Sequence, residues 1–178
     1  DNSFQSNFPS PNDNSHTIGS ISCGKKVIAV GSYDANTASK PLSYFTSAGP
    51  TRDGRRKPEI SAPGHNVWAA KSLSKTGVTR MSGTSMASPC VAGIIALMFA
   101  EAAARGVNLT IDQTIQIITN TARRNPPGGS GWHDRYGHGR ISAAKAVKAV
   151  IDLSSGGAAL AAAATSAKAT KPGKRRQK

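Results

Sequence analysis

A serine enclosed by small residues is the feature of this sequence that could carry out chemistry. Ser85 lies in the run Gly83-Thr84-Ser85-Met86-Ala87, at the start of a long apolar stretch. A serine hydroxyl acts as a nucleophile when it has open space, a base within hydrogen-bond reach and nearby N–H groups for an oxyanion. A small-residue turn at a helix N-terminus provides the space and the N–H groups. We therefore predict Ser85 as a nucleophile, with Gly83 and Thr84 shaping the turn that exposes it; a plain helix N-cap is the alternative.

The apolar pattern predicts three helices. The first runs over Ser85–Arg105 and has apolar side chains on nearly its whole circumference, which predicts a central helix buried on all sides. The second begins at Thr110 with a capping box, has one apolar stripe and is ended by the Pro-Pro-Gly-Gly segment 126–129. The third follows Ser142, a favourable N-cap residue.

Short apolar runs predict the strands. Val27–Val30, closed by a glycine, is typical of a strand that is buried on both faces of a parallel sheet. Val67–Ala70 and Val78–Met81 are two further short strands, and residues 34–65 are predicted to be mostly loop. Strands followed by helices favour an α/β fold with a mostly parallel sheet flanked by helices.

Length and composition limit the class of protein. With 178 residues, of which 38% are hydrophobic, the chain can form one domain with a sizeable core. The longest apolar run, Ile94–Ala100, is too short to cross a bilayer, so no membrane segment is predicted. The chain begins at Asp1 without an apolar leader, and we expect a processed product or a fragment.

The net charge of +14 is densest at the C-terminus. Residues 154–178 contain six basic side chains, no acidic one and a run of alanines, which predicts a disordered tail. The tail has no aromatic side chain that could stack on a base, which argues against nucleic acid as a partner.

The sequence predicts neither a metal centre nor a disulfide framework. No histidine or cysteine spacing typical of zinc occurs, although calcium sites built from oxygen ligands leave little trace in a sequence. Cys23 and Cys90 are interpreted as two buried free thiols, and one bridge between them stays open.

The segment around Ser85 resembles the nucleophile motif of subtilisin-like serine proteases (subtilases, peptidase S8 family). The match continues through Pro89 to Gly93, with Cys90 at a position where the family most often has histidine. Residues 1–153 therefore read as the C-terminal part of a subtilase catalytic domain whose N-terminal part is missing. Other segments that resemble family motifs, in the family's order, are Lys26–Gly31, Tyr44–Pro50, Lys57–Gly64 and Tyr136–Ala143.

The resemblance implies peptide-bond hydrolysis by a Ser-His-Asp triad in which the serine comes last in the chain. The family's Asp-Thr-Gly and His-Gly-Thr-His motifs and its oxyanion asparagine have no match in this sequence. We therefore expect these residues upstream of Asp1, and no protease activity from the 178 residues alone. The resemblance further implies a protein or peptide substrate, an extracellular location and no cofactor apart from structural calcium.

Other interpretations stay open. His133, beside Asp134, could replace the missing base, but Ala87 occupies the last position of a Gly-x-Ser-x-Gly elbow, so a surface-loop role is favoured. The chain could also be a catalytically inactive subtilase-like domain used for binding. A third interpretation is a basic protein that associates with nucleic acid through residues 154–178.

Overall fold

The computed structural model describes residues 13–124 and 131–154. The described part contains two small sheets and three α-helices, preceded by a short 3-10 helix. In chain order these elements are the 3-10 helix Ser20–Cys23, β1 Val30–Tyr33, β2 Ile60–Pro63, β3 Val67–Ala70, β4 Val78–Met81, α1 Thr84–Ala104, α2 Ile111–Asn120 and α3, residues 143–154. Of the predicted tail, only Ser154 belongs to the described residues.

Strand β1 runs parallel to β2, with Val30 aligned with Ile60. The predicted strand at 27–30 is displaced by three residues from the observed one. Side chains explain the displacement, because Lys57 Nζ donates to the Val27 carbonyl oxygen at 2.5 Å and the Ala29 N–H donates to Glu59 Oε2 at 2.8 Å. The Val27 carbonyl oxygen and the Ala29 N–H are therefore bonded to side chains, and backbone pairing between the two segments begins at the Ala29 carbonyl oxygen, which accepts the Glu59 N–H at 3.1 Å.

Strand β2 lies in the segment 34–65, which is mostly loop as predicted, but the prediction did not include this strand. Its sequence Ile-Ser-Ala-Pro contains no continuous apolar run, yet its first three residues are buried. The polar member is satisfied internally, since both the N–H and the Oγ of Ser61 donate to the Gly139 carbonyl oxygen, at 2.9 and 3.0 Å. A buried serine with both donors bonded is compatible with a central strand.

Strands β3 and β4 lie where the sequence predicts them. They form a separate antiparallel hairpin in which Trp68 is opposite Arg80. The guanidinium carbon of Arg80 lies 5.6 Å from the centre of the Trp68 ring, within the range of a cation–π contact. The hairpin is largely exposed and leads directly into α1.

Helices α2 and α3 begin as predicted. Thr110 and Gln113 form the capping box of α2, and Ser142 precedes α3. The predicted stop at 126–129 lies outside the described residues, and α2 itself already ends at Asn120. The Thr121 hydroxyl donates to the carbonyl oxygen of Ile117 at 2.7 Å, which satisfies an acceptor in the last turn of the helix.

Helix α1 packs on β1 and β2 with one face. The prediction of a helix buried on all sides is wrong for the described residues, in which Leu97 is 57% and Phe99 is 43% exposed. The elements described here cover only one side of it. An apolar outer face is what a helix has when further protein packs against it. The buried side chains of α1 are Ala87, Val91, Met98 and Ala102.

By length and composition alone, α1 meets the requirements for crossing a membrane, and it is the one helix among the described residues that does. Central helices of soluble proteins meet the same requirements. The absence of a membrane segment therefore stays a prediction.

Both cysteines are free thiols, as predicted, but both are half-buried rather than buried. Cys23 ends the 3-10 helix and its Sγ donates to the Gly19 carbonyl oxygen at 3.5 Å. Cys90 lies on α1, where burial raises the pKa of its thiol. Cys90 is therefore kept in the neutral, less nucleophilic form.

A buried ion pair holds the start of β1. Lys57 Nζ lies 2.6 Å from Glu59 Oε1, and the two side chains are only 3% and 12% exposed. Removing one partner of such a pair leaves a buried charge without compensation. We expect Lys57→Met to lower the free energy of unfolding of the complete protein by about 3–5 kcal/mol, as measured by urea denaturation.

The matched control is Lys148→Met, which breaks the exposed i,i+4 pair between Lys148 and Asp152 on α3. Exposed pairs of this kind contribute about 0.3–0.5 kcal/mol. Equal losses for the two variants would contradict a special role of the buried pair.

Candidate active site

The candidate nucleophile follows directly on the β3–β4 hairpin. Two residues connect β4 to α1, which begins at Thr84. The Gly83 N–H donates to the Gly64 carbonyl oxygen at 2.8 Å, and the Gly83 carbonyl oxygen accepts from the N–H of Met86 at 3.0 Å. The connection is therefore tied to the end of β2 on one side and to the first turn of α1 on the other.

Ser85 is the second residue of α1 and is exposed. Among the residues that the structure describes, its hydroxyl has no hydrogen-bond partner. Its N–H is one of the first N–H groups of the helix, which lack an acceptor within the helix. The positive end of the helix dipole lies at the same place. The residue thus combines an accessible hydroxyl with a donor and a field that favour negative charge.

Thr84 is half-buried and lines the same depression as Val30 and Gly31 of β1. Together with Thr46 and Ser47 it borders a depression of about 150 Å³, which adjoins the turn before Ser85. A surface recess next to an exposed hydroxyl offers space for part of a bound molecule. The remaining lining residues are Ile18, Gly19, Ser22, Ala29 and Pro58.

Gly64 is the glycine that the local packing requires. A Cβ at this position would lie 2.3 Å from Ser32 Oγ and 2.7 Å from the Gly83 carbonyl oxygen, and real Cβ atoms essentially never approach within 3.0 Å. At Gly83 itself an added Cβ would meet nothing closer than 3.6 Å, and its φ of 161° is extended backbone. Gly64 is a site residue that was not predicted from sequence, and the Ala-Pro-Gly turn at 62–64 is the local signal for it.

Two histidines lie in loops near the described elements. The Nδ1 atom of His133 accepts the backbone N–H groups of Arg135 and Tyr136 at 3.1 and 3.3 Å. The same Nδ1 lies 2.9 Å from Asp134 Oδ1, so its polar neighbours all belong to the loop 133–136. This histidine closes its own turn, in agreement with a loop role.

His65 directly follows Gly64 and stacks on Phe45, with ring centres 5.9 Å apart. Its buried Nδ1 has no hydrogen-bond partner among the described residues. None of the four histidines, all of which lie in the described residues, hydrogen-bonds to Ser85, so no imidazole is bonded to its hydroxyl there. The described ranges also contain no group of three or more His, Cys, Asp or Glu side chains that could hold a metal ion.

The sequence of the chain is similar to those of known proteases. The sequence model of the Subtilase family matches residues 6–139, more than half of the chain. Serine protease AprX of Bacillus subtilis (strain 168) is 36% identical over 153 residues, which cover 75% of this chain and 32% of AprX. Bacillopeptidase F of the same organism is 38% identical over 128 residues, which cover 70% of this chain and 8% of that protein.

Solved structures agree with the sequence comparison. The CspB protease of Clostridium perfringens is similar with a TM-score of 0.69 at 28% identity, over 77% of this chain and 29% of that one. The patellamide maturation protease PatA gives a TM-score of 0.63 at 27% identity, over 79% of this chain and 49% of that one. The fold is therefore the α/β fold of subtilisin-like proteases.

The chain spans about a third of AprX and less than a tenth of bacillopeptidase F. The match nevertheless covers the Ser85 turn, both central strands and helices α1 and α2. The chain belongs to the subtilase family of serine peptidases.

Proposed function

We propose that the protein to which this chain belongs is a serine endopeptidase with Ser85 as its nucleophile. The observation that carries the proposal is the exposed Ser85 hydroxyl at the N-terminus of α1, in a chain of the subtilase family. In this proposal Ser85 Oγ attacks the carbonyl carbon of a peptide bond and gives its proton to a histidine base. The oxyanion that forms is stabilised by the Ser85 N–H and by the positive end of α1.

The tetrahedral intermediate then breaks its C–N bond. The base returns the proton to the leaving amine, and the acyl group stays on Ser85 Oγ. Water, deprotonated by the same base, hydrolyses the ester and restores the serine. We propose that the histidine, the aspartate that orients it and a second oxyanion donor come from sequence outside these 178 residues. The chain's modest share of its relatives supports this part of the proposal.

A fluorophosphonate, which loses fluoride when an activated serine attacks its phosphorus, tests both parts. We expect the complete protein to be labelled at Ser85, as mapped by mass spectrometry of its peptides. The 178-residue chain alone should be neither labelled nor active on a chromogenic peptide, because a serine without a base is a weak nucleophile. Labelling at another serine, or turnover by the chain alone, would refute the assignment.

A complete protein that contains the triad residues but takes up no label would favour the inactive binding domain instead. The substrate is proposed to be a protein or peptide, since the relatives are named as proteases. The extracellular location and structural calcium that the resemblance implies stay predictions.

A further inference from the structure

Three buried hydroxyl-bearing residues lie beneath the turn that leads to Ser85. We call Ser32, Ser43 and Thr46 the hydroxyl cluster; all three are buried. Ser32 Oγ and Ser43 Oγ are 2.7 Å apart, and the Ser32 N–H donates to Thr46 Oγ1 at 2.9 Å. The Ser43 N–H in turn donates to the Ser32 carbonyl oxygen at 3.0 Å. The cluster thus joins β1 to the loop that follows it by several hydrogen bonds.

The loop side of the cluster is fixed independently. The Arg135 guanidinium donates to the carbonyl oxygens of Ser43 at 3.2 Å and of Thr46 at 3.1 Å. Buried hydroxyls are costly unless they are bonded, and a fully bonded polar network holds its members in one arrangement. Ser32 is therefore held by Ser43 and Thr46, whose own positions are fixed by Arg135.

Contact with the turn is made through Gly64. Ser32 Oγ lies 2.3 Å from the place where a Cβ of Gly64 would be, so this hydroxyl occupies the space beside the Gly64 backbone. The Gly64 N–H donates to the Tyr33 carbonyl oxygen at 3.2 Å, and its carbonyl oxygen accepts the Gly83 N–H at 2.8 Å. A continuous path of contacts runs from Ser43 through Ser32 and Gly64 to the residue that precedes α1.

We propose that the hydroxyl cluster positions the nucleophile turn, with Ser32 as the positioning residue that supports Gly64. The inference rests on the proposed function, because positioning Ser85 matters only if Ser85 reacts. In this role Ser32 touches neither Ser85 nor substrate. It fixes the position of the Gly64 backbone, and the Gly64 carbonyl oxygen accepts the Gly83 N–H. Small displacements of a reacting atom are costly, since a misplacement of about 1 Å lowers rates by roughly a hundredfold.

Three variants of the complete protein separate positioning from stability: Ser32→Ala, Ser43→Ala and the double variant. Ser43→Ala leaves the buried Ser32 hydroxyl without its partner, so it lowers the melting temperature while Ser32 Oγ still supports Gly64. The double variant removes both partners, which is close to neutral for stability, yet it also removes the support. We expect kcat on a peptide anilide to fall about tenfold to a hundredfold in Ser32→Ala and in the double variant.

We expect KM to change by no more than about twofold. The lost support of the turn affects the position of Ser85 in the transition state rather than the binding of substrate. Ser39→Ala, an exposed serine in the same loop, is the control and should match the wild type. All assays run well below the lowest melting temperature. A kcat that recovers together with the melting temperature in the double variant would overturn the proposal, as would an unchanged kcat in Ser32→Ala.

Ser85→Ala, measured in the same assay, distinguishes failure of the positioning role of Ser32 from failure of the proposed function. If Ser85→Ala is inactive and Ser32→Ala is unaffected, only the positioning role fails. If Ser85→Ala keeps full activity, or the wild type shows none, the proposed function fails and the positioning role with it.

Discussion

The Ser85→Ala variant of the complete protein is expected to lose peptide hydrolysis by about a factor of 10⁶, the size of loss that nucleophile removal causes in a protease of this family. The substitution removes only the hydroxyl group, which is the proposed nucleophile. Its fold should be intact, because the hydroxyl is exposed, lacks a partner there and is replaced by the best helix former. kcat/KM on a chromogenic peptide and the melting temperature report the two effects.

Ser88→Ala provides the control for this variant. Ser88 is exposed on α1, three residues after Ser85, so the substitution is chemically the same at a neighbouring position. Its activity should equal that of the wild type. Substantial activity in Ser85→Ala would show that another residue carries the reaction, and equal losses in both variants would point to damage of the helix.

The Gly64→Ala variant is expected to lower kcat/KM by at least about a hundredfold, because the new methyl group displaces the turn before Ser85. Its Cβ would lie 2.3 Å from Ser32 Oγ and 2.7 Å from the Gly83 carbonyl oxygen, so one of the two must move. The second contact is with backbone, which cannot rotate away as a side chain can. We also expect a lower melting temperature, and kcat/KM has to be compared at a temperature where the variant is folded.

Gly131→Ala is the matched control, since an added Cβ at Gly131 meets no atom of the described residues within 4 Å. It should leave both activity and melting temperature close to those of the wild type. A Gly64→Ala variant with normal kcat/KM would mean that the end of β2 does not determine where Ser85 lies.

Helices and the nucleophile turn could be predicted from sequence because their signals are local. Thr110 and Gln113 stand three residues apart in a capping box, and the apolar stretch after Ser85 is long enough for one helix only. The same apolar stretch led to the wrong prediction that α1 is buried on all sides. Apolar residues on all sides indicate that something covers them, but not whether the covering residues belong to the same 178 residues.

The central strands were harder to predict because distant residues determine them. The first ladder residue of β1 depends on Lys57 and Glu59, about 30 positions later in the chain. β2 is buried although serine and proline make up half of it, because Gly139 accepts the Ser61 donors. Gly64 was missed for the same reason, since its role depends on a close approach by Ser32 that no local pattern shows.

The buried Lys57–Glu59 pair has a consequence for alignment errors during folding. Parallel strands of four residues have few hydrogen bonds to prevent slippage, and a shift by one residue turns every side chain to the opposite face. Such a shift would carry Ser32 away from Gly64. Because the two charged side chains bond to the backbone at Val27 and Ala29, and a shift would break both contacts, they favour the observed alignment of β1 with β2. An ion pair that does not contact Ser85 thus disfavours a misaligned form in which Ser32 no longer supports Gly64 and the nucleophile turn.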